Sequence, residues 1–398
     1  MKDLHGWTTC TLGEVATTFS GGTPTRTRPD FFGGSIPWIK SGELNAGWVE
    51  ATEESLTQAG LNNSSAKLVP AGATLIALYG ATAGVVGRTK IEASINQAVL
   101  AVLPNRESLA DDYLAYLLRN LANQLLRIVQ GGQPNLNAGM VRDAEIELPP
   151  LPEQHKIAII LSIWEKSIEK LNALIAAKER RKQALMQQLL TGKKRMKGAT
   201  TKWKKLRMNE VMNRVFRPIE WHPELPLNLV SLRRRGAGLF RRPDVKGSEY
   251  KTQDLHEICA GDFLISKRQV VHGAWGIVTA EFKGGHVSKE YVILDNLAPE
   301  KLHMPFFAWL AQTPRMIRVA RVASTGVHIE KLIFDPAVFL RETIRIPSSL
   351  EEQQKIAAIL DAADQELSLL RRQRDALDRQ KRGLMQRLLT GRTRVTIR

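Results

Sequence analysis

Five arginines, Arg233, Arg234, Arg235, Arg241 and Arg242, bracket a Gly-Ala-Gly turn. Guanidinium groups at that density suit phosphate oxygens and the acceptor edge of guanine, which they can meet through two parallel bonds. Lys267, Arg268 and Gln269 close an apolar run further on, followed by His272 and Lys289, and the Ser324 to Ile329 loop adds Thr325 and His328. The first half offers similar side chains more sparsely. Thr23 and Arg26 lie in SGGTPTRTRPDFFGG, Lys40 and Ser41 in IPWIKSGEL, Tyr79 and Thr82 in LYGAT, and Gln133 and Asn135 in GGQPNLN. Arg, Lys, Asn, Gln, Ser and Thr on loops match the donor and acceptor patterns of base edges, so these residues are the candidate DNA contacts. The plain alternative for each basic residue is a solvated surface charge, and for each Thr or Asn a side chain that stabilises its own turn. The arginine cluster stands out because five arginines around a short turn have little structural use.

No catalytic constellation accompanies them. The sequence has no GxxxxGK[ST] phosphate loop and no Asn-Pro-Pro-aromatic string, the Gln133-Pro134-Asn135 fragment being only a look-alike. Pro243-Asp244 with Glu249-Tyr250-Lys251 imitates a PD…ExK nuclease motif. Its carboxylates fall five residues apart, too close for the usual two-strand arrangement, and we read it as a chance match. His303 and His328 have no carboxylate or serine context. Cys10 and Cys259 match no metal-ligand spacing, so no metal is expected and a reducing compartment fits.

A net charge of +17 and a pI near 10.0 point to a polyanionic partner. The charge is uneven: −3 over residues 1–150, +7 over 151–200, +9 over 201–347 and +4 over 348–398. The first half therefore cannot bind nucleic acid by bulk electrostatics. It must place a few donors well or share the work.

The elements that position these loops are announced by an internal repeat. Leu151 to Gly192 and Leu350 to Gly391 align without a gap at an offset of 199 residues, with 19 of 42 positions identical. LPEQHKIAIIL meets LEEQQKIAAIL, and ALMQQLLTG meets GLMQRLLTG. Within the first copy Ile157, Leu161, Trp164, Ile168, Leu171, Ile175, Leu185 and Leu189 recur in steps of three and four; Lys178 and Lys182 share their seam. The second copy places Ile356, Leu360, Ala363, Leu367, Leu370, Leu377, Leu384 and Leu388 likewise, with Arg374 and Lys381 as polar members. This spacing predicts two long helices packed on each other as a coiled coil. Each would run roughly 58 Å at 1.5 Å per residue. Pro152 suits a first turn, and Gly192 and Gly391 read as stops.

Ahead of each helix lies one of two similar globular stretches. WTTCTLGEV at Trp7 is echoed by WKKLRMNEV at Trp203. Ser20 to Gly34 is rich enough in Gly, Pro and Thr to forbid regular structure. Ile36 to Leu44 reads as a short buried strand ending in a polar turn, and Val69 to Gly87 as paired strands. DDYLAYLLRNLANQLLRIV reads as a helix. In the second half CAGDFLISKR, SKEYVILD, PFFAWLAQT and STGVHI stand where VPAGATLIALYG, INQAVLAV, DYLAYLLRN and GGQPNL stood. The expected fold class is α+β: recognition domains at 1–150 and 203–347, helices at 151–192 and 348–391, a basic linker at 193–202 and a basic tail at 392–398. No apolar run approaches 18 residues and no signal-peptide pattern opens the chain, so a soluble, cytoplasmic protein without membrane contact is expected.

These motifs, SGGTPTRTRPDFFGG–IPWIKSGEL, LYGATAGVVG, INQAVL, GGQPNLN and LPPLPEQHKIA…LMQQLLTG, resemble the specificity subunit of type I restriction-modification systems. The LPEQ-to-LLTG block carries the resemblance best. The second recognition domain departs from it, lacking GGTP and NQA and carrying LRRRGAGLFRRPD and SKEY instead. The resemblance implies a non-catalytic DNA reader. Two recognition domains would flank an antiparallel helical pair with pseudo-two-fold symmetry, each reading half of a bipartite, asymmetric double-stranded target. The helix pair would set the gap and dock two methyltransferase subunits, with restriction and translocase subunits joining the complex. S-adenosylmethionine, ATP and magnesium would then sit on partners, with no cofactor in this chain. The competing class is a coiled-coil protein-interaction scaffold that binds no DNA, which the acidic first half would suit.

Overall fold

The computed structural model describes residues 6–128 and 135–395. By internal packing the chain falls into two compact units, Met1–Asn172 with Gln373–Arg398, and Ala173–Arg372.

In the first unit five strands lie in the order Ala16–Ser20, Val99–Pro104, Thr74–Ala77, Val86–Thr89 and Trp48–Val49. Trp48–Val49 joins its neighbour in parallel; the other pairings are antiparallel. Side chains alternate across a strand, so a run that is apolar at every position is buried on both faces. Ile76 and Leu78 accordingly enter a core with Tyr113, Leu114 and Leu117 of the Asp111–Ile128 helix, while Leu75 and Ala77 meet Ile39, Ile95 and Val69 on the other side. That second core is closed by a sheet of Glu54–Leu56, Phe32–Ile39, Ala93–Ile95 and Lys67–Val69. Thr8–Thr11 pairs separately with Glu145–Leu148.

Two expectations change here. Ser20 to Gly34 is not wholly irregular: Pro29–Phe31 forms a 3-10 turn, and Phe32, Gly33 and Gly34 already belong to a strand. That strand starts earlier than Ile36, at Phe32, ends at Ile39, and is buried only at its last two residues. Pairing with Glu54–Leu56, with a bulge between Phe32 and Ile36, supplies the backbone partners that absorb the glycines.

The second unit has four strands in the order Met212–Val215, Tyr291–Asn296, Phe263–Ser266 and Trp275–Ile277. The registers match the first unit: Leu75 opposes Ala101 as Leu264 opposes Ile293, and Thr18 opposes Val102 as Arg214 opposes Leu294. One face packs Phe263, Ile265 and Trp275 on Phe306, Phe307 and Phe339; the other packs Leu264 and Ile293 on Val230, Ile258 and Val287.

The long helices span Leu151–Leu189 and Leu350–Leu389, and Gly192 and Gly391 beyond them take left-handed φ values of 72° and 63°. Every seam residue is buried or half-buried. In the first unit the start of the first helix runs antiparallel to the end of the second, with Ile157 and Leu161 sharing a core with Leu388 and Leu389. In the second unit Ile356 and Leu360 share a core with Leu189 and Leu190. The helix ends are thus sunk into the sheet-and-helix cores of the units rather than forming a bare two-helix seam.

The 199-residue repeat reaches individual polar contacts. Gln154, fully buried, accepts from the Ala110 amide and donates to the Ser108 and Pro149 carbonyls; Gln353 accepts from the His303 amide and donates to Lys301 and Pro347. Glu165 pairs with Lys381 as Asp364 pairs with Lys182. Lys178–Glu366 and Glu179–Arg371 are further pairs in the second unit. Arg374 instead pairs with its neighbour Asp375.

Candidate nucleic-acid interface

In the first unit the candidate residues form two groups. Arg26 lies over the Phe32 and Trp38 rings, 4.6 and 5.4 Å from their centroids, and makes a two-pronged contact with Glu54 at 2.7 and 3.3 Å. Lys40 reaches the same Glu54 and also Glu53, both at 3.1 Å. Hydrogen bonds from Arg26 and then Lys40 hold the Glu54 carboxyl below its usual range. Arg26 and Lys40 are thus joined through one acid, because the strand pairing sets Glu54 opposite Trp38. Thr23 bonds Gln97, and Ser41 opens a 3-10 turn. The second group converges on one loop. Tyr79 is 44% exposed, the Thr82 hydroxyl donates to the Tyr79 carbonyl at 3.3 Å, and the Asn135 side-chain oxygen accepts from the Gly80 amide at 3.2 Å. Gln133 lies outside the described residues.

The second unit gathers its candidates more tightly. Val230–Leu232 and Leu239–Arg241 form a hairpin whose turn holds Arg233, Arg234 and Arg235. The Arg235 and Gly236 amides bond the His272 and Gly273 carbonyls at 2.7 and 2.8 Å, bringing the arginine turn beside the loop that follows Lys267, Arg268 and Gln269. A cleft of about 460 Å³ between them is lined by Arg234, Arg235, His272, Trp275 and Gln312.

The arginines have more structural use than their spacing suggested. Arg233 stacks 4.7 Å over Phe240 and donates to the Leu239 carbonyl; Arg241 reaches the Glu281 carbonyl and the Phe282 ring; Arg242 lies 5.6 Å over Tyr250. Aromatic faces and carbonyls orient a guanidinium without neutralising it. Among the described residues no carboxylate pairs with Arg233, Arg241 or Arg242, so the cluster is ordered and still cationic.

Arg268 pairs with Glu290 at 2.7 Å, and Lys289 stands 3.7 Å from Asp254. Lys267 is half-buried, and burial, then repulsion from Arg214, push its amine below the ordinary lysine range. Thr325 and His328 lie exposed around the left-handed Gly326. Sequence reasoning missed Arg214 and Phe216, which sit in and just after a strand, where no loop signal marks them. Glu249 of the nuclease look-alike accepts from the Lys246 amide, as a turn cap does. Among the described residues no group of three or more His, Cys, Asp or Glu is placed to hold a metal.

Two units built on one frame, each ending in loops with different donors, meet the comparison with known proteins on its most specific ground. Residues 5–179 match the model of the Type I restriction modification DNA specificity domain. Over these residues the chain is similar to that family. The EcoR124I/EcoR124II specificity subunit of Escherichia coli is 28% identical over 162 residues, 39% of this chain and 40% of that protein. The MjaIX specificity subunit of Methanocaldococcus jannaschii is 29% identical over 164 residues, and the match spans 37% of it. The chain thus aligns with about two-fifths of the length of these relatives. The MjaVIII specificity subunit of the same organism is 22% identical over 437 residues, covering 99% of this chain and 96% of that one.

Two solved structures share the fold of this chain. The S subunit from M. genitalium superposes with a TM-score of 0.59 at 13% identity, over 98% of this chain and 97% of that one. A chain from a structure of type I R-M complex assembly and conformational transition gives 0.63 at 18%, over 97% and 98%. No described helix is long and apolar enough to cross a membrane.

Proposed function

We propose that this chain is the DNA-reading subunit of a type I restriction-modification complex. The recognition domains, residues 1–150 and 203–347, each read one half of an asymmetric bipartite duplex target. The helices at 151–192 and 348–391 set the unread gap and dock two methyltransferase subunits, and restriction and translocase subunits complete the assembly. The chain itself is not an enzyme. S-adenosylmethionine, ATP and magnesium belong to its partners, and the complex works in the cytoplasm.

One observation carries this reading. The frame is duplicated down to single hydrogen bonds, as at Gln154 and Gln353, whereas the loops it presents are chemically unlike: Arg26 and Lys40 are paired with Glu54 and Glu53, while Arg233, Arg241 and Arg242 pair with no carboxylate among the described residues. Loops on a rigid frame carry specificity, so a doubled frame with unlike loops suits two different half-sites. Base-resolution mapping of methylated positions in host DNA, with and without the gene, tests it. A two-part asymmetric motif with a fixed gap that vanishes on deletion is the expected result. An active methyltransferase whose methylated motif is unchanged by the deletion would refute it.

A further inference from the structure

The two units differ at one position where the frame itself, rather than a loop, has changed. In the first unit Leu78 follows the Thr74–Ala77 strand; its amide bonds Ala98, its carbonyl accepts from Leu136, and its side chain is 1% exposed in the core beside Ile76. In the second unit the same place is taken by Lys267. Its amide bonds Glu290 and its carbonyl accepts from Phe334, at 2.9 and 3.0 Å. Alternation along the strand puts Lys267 on the face of Phe263 and Ile265, which is the face of the larger core. A lysine has replaced a core leucine at the rim of the sheet.

A second cation faces the same way. Arg214 lies two residues after Met212, which is fully buried in that core, and takes the place of Thr18 in the first unit. Its guanidinium leans along the strand onto Phe216, 4.1 Å from the ring centroid, towards the end where Lys267 emerges. Phe216 is itself 60% exposed. Arg214, Phe216, Asp254, His256, Lys289 and Tyr291 line a cleft of about 210 Å³.

The nearby acids each have a closer partner of their own. Glu290 holds Arg268 at 2.7 Å, Asp254 contacts His256 and Lys289, and Asp335 caps the Pro336–Arg341 helix by accepting from Ala337 and Val338. Among the described residues no carboxylate forms an ion pair with Arg214 or Lys267. Burial depresses both, outweighing Asp335 at Arg214, and Arg214 pushes Lys267 down further against the pull of Glu290 and Asp254. Two half-buried like charges at a core rim cost stability, and such a cost is met where an anion arrives to neutralise it.

We propose that Arg214 and Lys267 together hold a backbone phosphate of bound duplex DNA, fixing the position of the second recognition domain on its half-site. This rests on the DNA-reading function above and adds the role: the pair positions and does not read bases. Phosphate contacts of this kind set register, and base edges carry the sequence.

The test uses the full chain, in complex with its methyltransferase subunits, and a duplex carrying the motif found by methylation mapping. Lys267→Leu and Arg214→Thr install the residues of the first unit. Lys267→Leu is expected to raise Tm by about 2–4 °C as the strained charge is removed. It should lower affinity roughly tenfold at 50 mM salt and make the slope of log K against log salt shallower by about 0.9, as one fewer neutralised phosphate requires. The motif preference should stay the same, and Lys267→Arg should keep the parent affinity and slope. Higher Tm with unchanged affinity and slope would overturn the phosphate site while leaving DNA reading intact. A change in motif preference would also overturn it, by making the pair a base reader. A parent complex that fails to bind the duplex would overturn both readings together.

Discussion

Arg394 closes on the carboxylate of Glu153 through two bonds, Nε to Oε1 at 3.0 Å and Nη2 to Oε2 at 2.8 Å. The carboxylate is only 2% exposed and also accepts from the Val395 amide and the Trp7 indole, both at 3.1 Å. Moved by 199 residues at both ends, the same clasp recurs as Arg195 on Glu352, at 2.8 Å twice. In each unit an arginine just beyond the end of one long helix grips an acid in the first turn of the other.

Cutting that clasp should be costly in a pH-dependent way. Burial alone would raise the Glu153 carboxyl; Arg394, Val395 and Trp7 overcome it and hold the pKa below the ordinary 4.5. A lowered folded pKa contributes stability above the unfolded value, lost as pH falls through the folded one. Arg394→Ala strands a buried charge and should cost about 3 kcal/mol at pH 7. Without the arginine, burial dominates and the Glu153 pKa rises, so the penalty should shrink as the medium is acidified from that raised value to the parent's lowered one. Urea unfolding at pH 7 and pH 4 measures this, and an equal penalty at both would contradict it.

Gln154 and Gln353 should matter more than their chemistry suggests. Each satisfies one amide and two carbonyls from different segments while fully buried. A leucine would leave those groups unpaired, at about 1–3 kcal/mol each before relaxation. Gln154→Leu and Gln353→Leu are each expected to lower stability by about 3 kcal/mol or more. A glutamate is expected to fare no better, because an ionised carboxylate can donate to neither carbonyl. Denaturant midpoints of the four variants decide it, and a neutral Gln154→Leu would show that the three bonds are dispensable.

The two equivalent cross-helix pairs should differ in strength. Glu165 is shared by Lys381 at 2.7 Å, Arg119 at 2.8 Å and the Tyr116 hydroxyl at 2.9 Å. Asp364 is 53% exposed, and its contact with Lys182 is open to solvent screening. Exposed pairs contribute about 0–1 kcal/mol, and hydrogen bonds to charged groups in protected networks contribute more. Double-mutant cycles to alanine should give a coupling of about 1–2 kcal/mol for Lys381–Glu165 and below about 0.5 kcal/mol for Lys182–Asp364. The reverse order would mean that burial does not govern these pairs.

If the helices act as a spacer, their length should be read out in the target. Inserting one heptad in both helices keeps the apolar seam and adds about 10 Å. At 34–36 Å per turn of DNA this is about three base pairs. The mapped motif should keep both half-sites and gain an unread gap of that size. An unchanged gap would sink the spacer role.

The frame was legible because it is periodic and duplicated. Leu161 and Leu360 announce their helices by spacing alone, and the Trp7 and Trp203 echo marks two stretches that the structure pairs alike, Thr8–Thr11 with Glu145–Leu148 and Trp203–Arg207 with Thr343–Pro347. The site was legible only as a set of loops. No partner for Arg26 is visible in the sequence because its acid, Glu54, lies 28 residues away and meets it only through strand pairing. Arg214 and Lys267 escaped as a pair because each is ordinary in its own segment. Only the register shared with Thr18 and Leu78 shows that two frame positions have become cationic.

Arg235 offers a last separation of folding from binding. It is the single non-glycine with positive φ among the described residues, at 62°, between Arg234 and Gly236, and its amide is fixed to the His272 carbonyl at 2.7 Å. A side chain held in the left-handed region costs of order 1 kcal/mol, and such strain persists where function retains it. Glycine adopts this conformation freely but is more flexible when unfolded, which takes back part of the gain. Arg235→Gly is therefore expected to leave stability within about 0.5 kcal/mol of the parent or slightly raise it. Affinity for the mapped duplex should fall, and the salt slope should be shallower by about 0.9, the amount for one phosphate no longer neutralised. Arg235→Ala removes the same charge but keeps the strain, so it should show the same binding defect at lower stability than Arg235→Gly. Parent-like binding by both variants would mean that the strained turn serves the hairpin and not the DNA.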